Sequence, residues 1–273
     1  MGSVPELPEV ETIARGLAAT VVGRTIASVE VRLPRVVTTP PGETLDALAG
    51  ERIDAVARRA KYVVVTASSG RRLIVHLGMT GRMIVQPPGD AAELPYARVL
   101  FGFAGGGRLV FADARTLGRV RLLPAGDRWD AHGGLEPLSE AFTSEAFLGM
   151  LSGRRTAVKT FLLDQTRIAG VGNIYACEAL WEAGIRPSRP AHEITKPAGR
   201  RLHDAIRNVL ARAVEARGTS VDDYVDAEGL RGGFQNQLSV YGRLGKPCPR
   251  CGSRIVRTVI AQRGTWWCRR CQK

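Results

Sequence analysis

The chain has 273 residues and a formal net charge of +13, so it is long enough for two domains and its expected partner is a polyanion such as nucleic acid. Its Lys and Arg residues are scattered along the sequence, which favours a folded basic surface over a disordered basic tail. The absence of an apolar run of about 18 residues and of a signal-peptide pattern argues against a membrane or secreted protein, so we expect a cytoplasmic one.

The first predicted element is a helix that starts within the octet Pro-Glu-Leu-Pro-Glu-Val-Glu-Thr at residues 5–12. Pro8 suits the first helical position, Glu9 and Glu11 suit the positive end of the helix dipole, and apolar residues then recur at helical spacing. A proline at a true N-terminus is a secondary amine that can attack an electrophilic carbon, and a neighbouring carboxylate can move protons. Pro5 and Glu6 are therefore candidate catalytic residues. The alternative, which the octet alone favours, is a simple lead-in to the helix.

Short β-branched segments separated by glycines follow this helix. We predict one antiparallel β domain with a sandwich architecture. Its predicted strands lie at residues 25–32, 52–57, 62–66, 72–76, 82–85, 98–103, 108–111 and 119–123.

A hinge and a helical region come next. Residues 125–137 combine chain breakers with little periodicity, so we place the hinge there. Beyond it, apolar residues recur at helical spacing. The predicted helices lie at residues 144–151, 157–163, 172–183, 195–217 and 220–225.

Two Cys-x-x-Cys knuckles, sixteen residues apart, lie near the end of the sequence. They supply four thiolates for a tetrahedral zinc ion with a hairpin between the knuckles, and no position is left open for water, so the zinc is predicted to be structural. Two disulfides or a redox pair are the alternatives, which a reducing compartment disfavours. The arginines and tryptophans of the hairpin suit phosphates and bases, whereas Cys177 fits a buried apolar helix position. The predicted ligands are Cys248, Cys251, Cys268 and Cys271.

Several motifs together carry a resemblance to a known family. The octet marks one end of the chain, and a zinc finger with Arg263-Gly264-Thr265 before its third cysteine and a final Cys-Gln marks the other. These motifs closely resemble those of bacterial formamidopyrimidine-DNA glycosylases, over essentially the whole chain from Pro5 to Lys273. Further matching motifs stand in the family's order at residues 59–62, 76–81, 136–139, 170–176 and 241–243.

The resemblance implies an α+β fold with an N-terminal antiparallel β-sandwich and a leading helix, followed by a helix–two-turn–helix domain with a C-terminal four-cysteine zinc finger. It also implies double-stranded DNA with oxidised bases as the partner, one structural zinc ion as the cofactor and a monomeric protein. The predicted domains are a catalytic β-sandwich domain at 5–130, a hinge at 131–150, a helix–two-turn–helix DNA-binding domain at 151–235 and a zinc finger at 239–273.

Members of the family act in base excision repair: they excise oxidised purines such as 8-oxoguanine and formamidopyrimidines, and then cut the strand by β- and δ-elimination. By resemblance, the amine of Pro5 attacks C1′ of the extruded nucleotide and forms a Schiff base, while Glu6 transfers protons. Lys61 matches a lysine that lies near the phosphate and the sugar. Without the resemblance, Lys61 would be predicted to be a solvated charge.

An extruded base leaves a hole that side chains must fill. The resemblance assigns Met79, Arg115 and Leu117 to this task, with Arg115 donating to the orphaned partner base. The common family pattern has proline, a second arginine and phenylalanine where Ala114, Thr116 and Leu117 stand, so lesion search is expected to differ in detail. Ordinary core packing is the alternative for Met79 and Leu117.

Other matched residues are expected to contact the DNA backbone or the lesion. Lys159, Asn173 and Arg263 match phosphate-binding positions, with surface charge as the alternative. Glu178 and residues 219–235 match parts that hold the lesion base, and the glycines of that stretch indicate a mobile loop.

The residues before the proline depart from the family pattern. If residues 1–4 remain attached, the nitrogen of Pro5 is a tertiary amide and cannot attack. We therefore expect translation to start at Val4, so that removal of the initiator residue exposes the Pro5 amine.

Two alternative functions stay open. An endonuclease VIII type of enzyme would prefer oxidised pyrimidines, but Leu7 and Val10 favour the first group, because the second usually has glycine and isoleucine there. A non-catalytic DNA-binding paralogue would be blocked at Pro5, and the retained Glu6 and Lys61 argue mildly against it.

Overall fold

The computed structural model describes residues 4–90, 92–220 and 229–273. They form two compact units. The first holds the described residues up to Asp130 and those between Ala216 and Gly233, and the second holds Ala131–Glu215 and Phe234–Lys273. The predicted helix at 220–225 lies, apart from Ser220, outside the described residues, and so does part of the predicted loop at 219–235.

The leading helix is α1 (Leu7–Val21). Glu6 is its N-cap, and a capping box joins it to Glu9: each side chain accepts a hydrogen bond from the backbone N–H of the other residue. Pro8 therefore occupies the second helical position and not the predicted first, because the capping box starts the helix one residue earlier. The apolar face of α1 is wholly buried, as its periodicity predicts.

Two β-sheets follow in the first unit. One sheet has the strand order β1-β7-β8-β6 and the other has the order β2-β9-β5-β4-β3. The strands are β1 (Ile26–Val31), β2 (Val37–Thr38), β3 (Ile53–Arg59), β4 (Tyr62–Ala67), β5 (Arg72–His76), β6 (Gly81–Gln86), β7 (Ala97–Phe103), β8 (Arg108–Asp113) and β9 (Arg119–Leu123).

The predicted sandwich is confirmed by the shared core of the two sheets. Val63 and Val75 from one sheet, Val99 and Phe111 from the other, and Leu17 from α1 belong to a single buried cluster. One edge of this antiparallel sandwich adds a feature that was not predicted: β2 pairs in parallel with β9. A strand of two residues is too short to carry an alternating pattern, so no local signal marked β2.

The second unit is helical and ends in a hairpin. Its helices are α2 (Ser144–Leu151), α3 (Val158–Leu162), α4 (Asn173–Ala183) and α5 (Lys196–Glu215), and its strands are β10 (Val256–Ile260) and β11 (Arg263–Trp267). Gly184, in the left-handed conformation, ends α4. The predicted helices at 144–151, 157–163, 172–183 and 195–217 are confirmed to within two residues at each end. Among the described residues, no helix has the length and apolar character needed to cross a membrane.

Candidate functional site

The candidate nucleophile stands at the buried entrance of α1. Pro5 and Glu6 are both buried, and Glu6 is only 3 % exposed. The carboxylate of Glu9 holds this entrance: its Oε2 accepts from the Glu6 N–H at 2.8 Å, and its Oε1 accepts from the Thr219 N–H at 2.7 Å. A Cβ at Gly218 would lie 2.9 Å from Glu9 Oε1, so this close approach needs glycine. Glu9 thus connects the catalytic candidates to Thr219 by a hydrogen bond.

Lys61 lies on the two-residue turn between β3 and β4. The turn is tight, and Ala60 adopts a left-handed conformation with φ of 52°. Arg58 donates from Nη1 to the carbonyl of Ala60 at 3.0 Å and from Nε to Oε2 of Glu11 at 2.8 Å. Since Glu11 belongs to α1, this chain of bonds fixes the turn of Lys61 to the helix that carries Pro5 and Glu6.

The ion pair between Glu11 and Arg58 also affects stability. Burial raises the pKa of Glu11, but hydrogen bonds and charge from Arg58 and Arg15 outweigh it, so the pKa lies below its ordinary value of 4.5. We expect Glu11→Gln to lower the free energy of unfolding by about 1–2 kcal/mol near neutral pH, because it removes the Glu11 carboxylate from the largely buried Arg58 guanidinium. Urea unfolding at several pH values measures this.

The pH dependence gives this prediction its sign. A depressed pKa in the folded state stabilises the protein above the unfolded-state pKa, and this contribution disappears as the pH falls through the folded-state pKa. The deficit of Glu11→Gln should therefore be constant above about pH 5 and shrink in acid. The matched control is Glu30→Gln, whose exposed partner is Arg32, and it should change little. A deficit of Glu11→Gln that grows in acid would contradict the prediction.

The carboxylate of Asp113 joins the two loops predicted to fill the DNA stack. Asp113 is 1 % exposed. Its Oδ1 accepts from the hydroxyl of Thr80 and from the backbone N–H of Arg115, and its Oδ2 accepts from the N–H of Gly118 at 2.7 Å. A Cβ at Gly78 would lie 2.7 Å from the backbone of Leu117 and of Gly118. The loops at residues 78–80 and 113–118 therefore form one packed structure, the double loop.

We expect Asp113→Asn to loosen this double loop, because an amide cannot accept from all three donors. The N–H groups of Arg115 and Gly118 should then exchange with deuterium at least about tenfold faster, which corresponds to about 1.4 kcal/mol of lost protection. Hydrogen exchange with mass spectrometry measures this. Asp90→Asn is the control, since Asp90 is exposed and, within the described part of the chain, accepts from the backbone N–H of Ala92. Unchanged exchange in Asp113→Asn would show that Asp113 does not organise the loops.

The double loop presents the predicted stack-filling side chains. Leu117 is 44 % exposed, so the alternative of core packing is wrong for it, and Arg115 is exposed as well. Met79 is half-buried and lies in the loop at 78–80, which packs against the loop that carries Arg115 and Leu117. An exposed leucine next to an exposed arginine suits an apolar wedge with a hydrogen-bond donor beside it.

In the second unit, two predicted phosphate-binding residues meet at the tip of the hairpin. The ammonium of Lys159 donates to the carbonyl of Gly264 at 3.1 Å and to the hydroxyl of Thr265 at 2.6 Å, and Nδ2 of Asn173 donates to the same carbonyl at 3.1 Å. Lys159 is wholly buried, so the surface-charge alternative is wrong for it. These bonds hold the start of β11, where Arg263 is exposed.

Glu178 also has a clear set of partners. Its two carboxylate oxygens accept from the backbone N–H groups of Ser239, Val240 and Tyr241 at 2.8, 3.0 and 2.8 Å. Burial raises its pKa, and these three donors act against that shift. Glu178 therefore fixes the segment after Phe234 onto α4, and its role toward a lesion base stays a prediction.

The four predicted zinc ligands converge. The Sγ atoms of Cys248, Cys251, Cys268 and Cys271 all lie within 4.8 Å of one another. The Sγ atoms of Cys251 and Cys268 are 3.5 Å apart, and those of Cys248 and Cys271 are 3.9 Å apart. Thiolates at about 2.3 Å from a tetrahedral zinc have similar separations. The geometry fits one structural zinc ion and not a pair of disulfides, since all four cysteines are free. Cys177 is wholly buried beside this cluster, as predicted.

Sequence reasoning found the candidate groups but missed the residues that position them. Pro5, Glu6, Lys61, Met79, Arg115 and Leu117 lie in the first unit, and Lys159, Asn173, Glu178, Arg263 and the cysteines lie in the second. Glu9 and Glu11 were predicted only as favourable charges at the start of a helix, and Asp113 was given no role. Each of the three has a partner that is distant in sequence, which no local pattern could reveal: Thr219 for Glu9, Arg58 for Glu11 and Thr80 for Asp113.

Known proteins resemble this chain over its full length. Family models match in three segments: "Formamidopyrimidine-DNA glycosylase N-terminal domain" at residues 4–120, "Formamidopyrimidine-DNA glycosylase H2TH domain" at 134–225 and "Zinc finger found in FPG and IleRS" at 245–273. The formamidopyrimidine-DNA glycosylase of Chloroflexus aggregans is 46 % identical over 272 residues, which cover 98 % of each chain.

Solved structures share the fold as well. The crystal structure of the MutM (Fpg) protein of Thermus thermophilus matches with a TM-score of 0.87 and 42 % identity over 98 % of both chains. The Lactococcus lactis Fpg (MutM) in complex with DNA that contains N7-benzyl-Fapy-dG matches with a TM-score of 0.88 and 36 % identity, covering 98 % of this chain and all of that one.

Proposed function

This chain belongs to the formamidopyrimidine-DNA glycosylase family of DNA-repair enzymes that act on oxidised bases, and we propose that it is a bifunctional glycosylase and AP lyase for oxidised purines in double-stranded DNA. The observation that carries the proposal is the anchored entrance of α1, where buried Pro5 and Glu6 are held by Glu9. The Lys61 turn is fixed to the same helix through Arg58 and Glu11. A nucleophile and a proton-transfer group thus stand at the start of α1, and a cation stands on a turn that is bonded to α1.

The proposed reaction starts at C1′ of the extruded nucleotide. The lone pair of the Pro5 amine forms a bond to C1′, the glycosidic bond breaks, and the base leaves with a proton. Glu6 supplies and removes protons as the sugar ring opens, which leaves an iminium between Pro5 and C1′. The iminium acidifies the C2′ proton; its loss expels the 3′ phosphate, and a second elimination expels the 5′ phosphate. Lys61 is proposed to stabilise the charge of a neighbouring phosphate.

The remaining predicted residues are proposed to hold the DNA open. Met79 and Leu117 would fill the space left by the extruded base, and Arg115 would donate to the partner base. Arg263 would contact a phosphate from the hairpin tip, which Lys159 and Asn173 hold in place. The net charge of +13 supports such a footprint. We propose that the enzyme works as a monomer in the cytoplasm.

The deciding experiment compares two damaged duplexes, one with 8-oxoguanine opposite cytosine and one with thymine glycol. We expect faster excision of 8-oxoguanine and a one-nucleotide gap with phosphates at both ends, the product of β,δ-elimination. Faster excision of thymine glycol would favour the endonuclease VIII type. The comparison is needed because a structure of Lactococcus lactis Fpg (MutM) contains DNA with an oxidised pyrimidine. Tight binding of both duplexes without excision would favour the non-catalytic paralogue.

A further inference from the structure

The zinc-ligand cluster receives a hydrogen bond from a residue outside the cysteine motifs. The indole Nε1–H of Trp181, in the last turn of α4, donates to Sγ of Cys248 at 3.4 Å. Cys248 is 2 % exposed, so little water competes for its sulfur. Groups that bond to a ligand atom from outside the coordination sphere orient that atom and change its donor strength. Trp181 is such a group for Cys248, because it binds the sulfur without being a metal ligand.

Trp181 is itself held in place by the first knuckle. The guanidinium of Arg250 lies over the indole ring at 4.4 Å, and it donates to the backbone carbonyls of Trp181 and Glu182 at 3.2 Å each. These carbonyls belong to the last turn of α4, where the regular helical bonds run out, and the carbonyl of Trp181 also accepts from the N–H of Gly184. Arg250 therefore caps the helix and presses the indole into one orientation.

The C-terminal end of the finger is fastened to the same end of α4. Gln272 accepts from the N–H of Cys268 at 2.8 Å and donates to the carbonyl of Ile185 at 2.9 Å. At the other end of α4, Asn173 binds the carbonyl of Gly264 in the hairpin. Helix α4 thus contacts the finger at its two ends, and the thiolate of Cys248 is one of the attachment points.

We propose that Trp181 is a positioning residue of the zinc centre, whose indole hydrogen bond holds the Cys248 thiolate in its ligand orientation and slows its release from zinc. The hydrogen bond restricts the rotation of the sulfur, so a transiently detached thiolate returns to the metal before a competing chelator or solvent takes its place. The proposal concerns the metal centre and does not depend on the lesion that the enzyme excises.

The test compares Trp181→Phe, which keeps an aromatic ring but removes the N–H, with the wild-type protein. Zinc transfer to an excess of a coloured chelator should become about tenfold faster. In the cobalt-substituted protein, the sulfur-to-metal charge-transfer band should move to longer wavelength, because a thiolate that loses a hydrogen bond is a stronger electron donor. The matched control is Trp266→Phe: Trp266 packs on Tyr241 and Arg257 in the same cluster, and both measurements should stay at the wild-type values.

A measurement on the wild-type chain tests the proposal even if the variant folds poorly. Replacing zinc by a spin-active cadmium isotope should give a scalar coupling between the metal and the indole proton of Trp181, transmitted through the hydrogen bond and the sulfur of Cys248. Absence of this coupling would overturn the proposal. So would equal zinc release from wild type and Trp181→Phe, or an equal acceleration in Trp266→Phe, which would indicate general packing instead of a specific hydrogen bond.

Discussion

A chain that begins at Pro5 should form a borohydride-stable adduct with DNA containing one 8-oxoguanine, and a chain that keeps residues 1–4 should form none, a difference of at least about a thousandfold. The reason is electronic. When Val4 is attached, the lone pair of the Pro5 nitrogen is delocalised into the preceding carbonyl and cannot bond to C1′. When Pro5 is the first residue, the nitrogen is a secondary amine with a pKa near ~8, partly unprotonated at neutral pH.

The experiment needs both forms of the chain prepared side by side. Mass spectrometry defines each N-terminus, and peptide mapping after reduction locates the sugar remnant. Binding of each form to DNA with an uncleavable abasic analogue should be similar, because the predicted DNA contacts lie elsewhere in the chain. This similarity separates a blocked nucleophile from a failure to bind.

A variant that starts at residue 5 with Pro5→Gly is the matched control. Its primary amine can still form an imine, so trapping should survive at a reduced rate, whereas Glu6→Gln should lose proton transfer with the amine intact. An adduct of equal yield in the longer chain, mapped to Lys61, would overturn the assignment of Pro5 as the nucleophile. It would also remove the reason to expect translation to start at Val4.

Most of the fold was predictable because the relevant signals are local. Alternating and helical apolar patterns located the strands and helices to within a few residues, and the knuckle spacing located the zinc ligands. Strand β2 was not predicted, because a strand of two residues is too short to show an alternating apolar pattern. The first residue of α1 was predicted one position too late. The reciprocal hydrogen bonds of Glu6 and Glu9 start the helix at Leu7, whereas the prediction relied on the preference of proline for the first helical position.

The candidate site was less predictable, because its side chains are positioned by partners far along the chain. Glu9 binds the backbone at Thr219, and Lys159 reaches the hairpin at Gly264 and Thr265. A buried lysine looks like any other lysine in a sequence, and only the fold shows that its ammonium is desolvated and bonded within the protein. The resemblance identified Lys159 and assigned it to the DNA, whereas the structure shows its ammonium bonded to Gly264 and Thr265.

Removal of a zinc ligand should have the second large effect. In Cys268→Ser the metal would lose a wholly buried thiolate, and we expect the zinc content to fall from one equivalent to nearly none, since structural zinc contributes about 10–16 kcal/mol to the folding of small zinc domains. Without zinc, the residues that join the two ends of the β10–β11 hairpin become disordered, and Arg263 loses its fixed position. We therefore expect the DNA affinity to fall by about a hundredfold. Metal analysis and DNA titration at one fixed salt concentration measure these two effects.

Cys177→Ala is the control that separates metal binding from packing. Cys177 is as buried as Cys268 and belongs to the same apolar cluster, but it is not among the four converging thiols. It should keep one zinc equivalent and near-normal DNA affinity, at a cost in stability of about 1 kcal/mol for the lost sulfur. If Cys268→Ser kept its zinc, or if Cys177→Ala lost as much affinity, the finger would be held together by its apolar contacts and the metal would not be its main support. The contrast between two equally buried cysteines assigns the effect to the zinc ion, because burial is the property that they share.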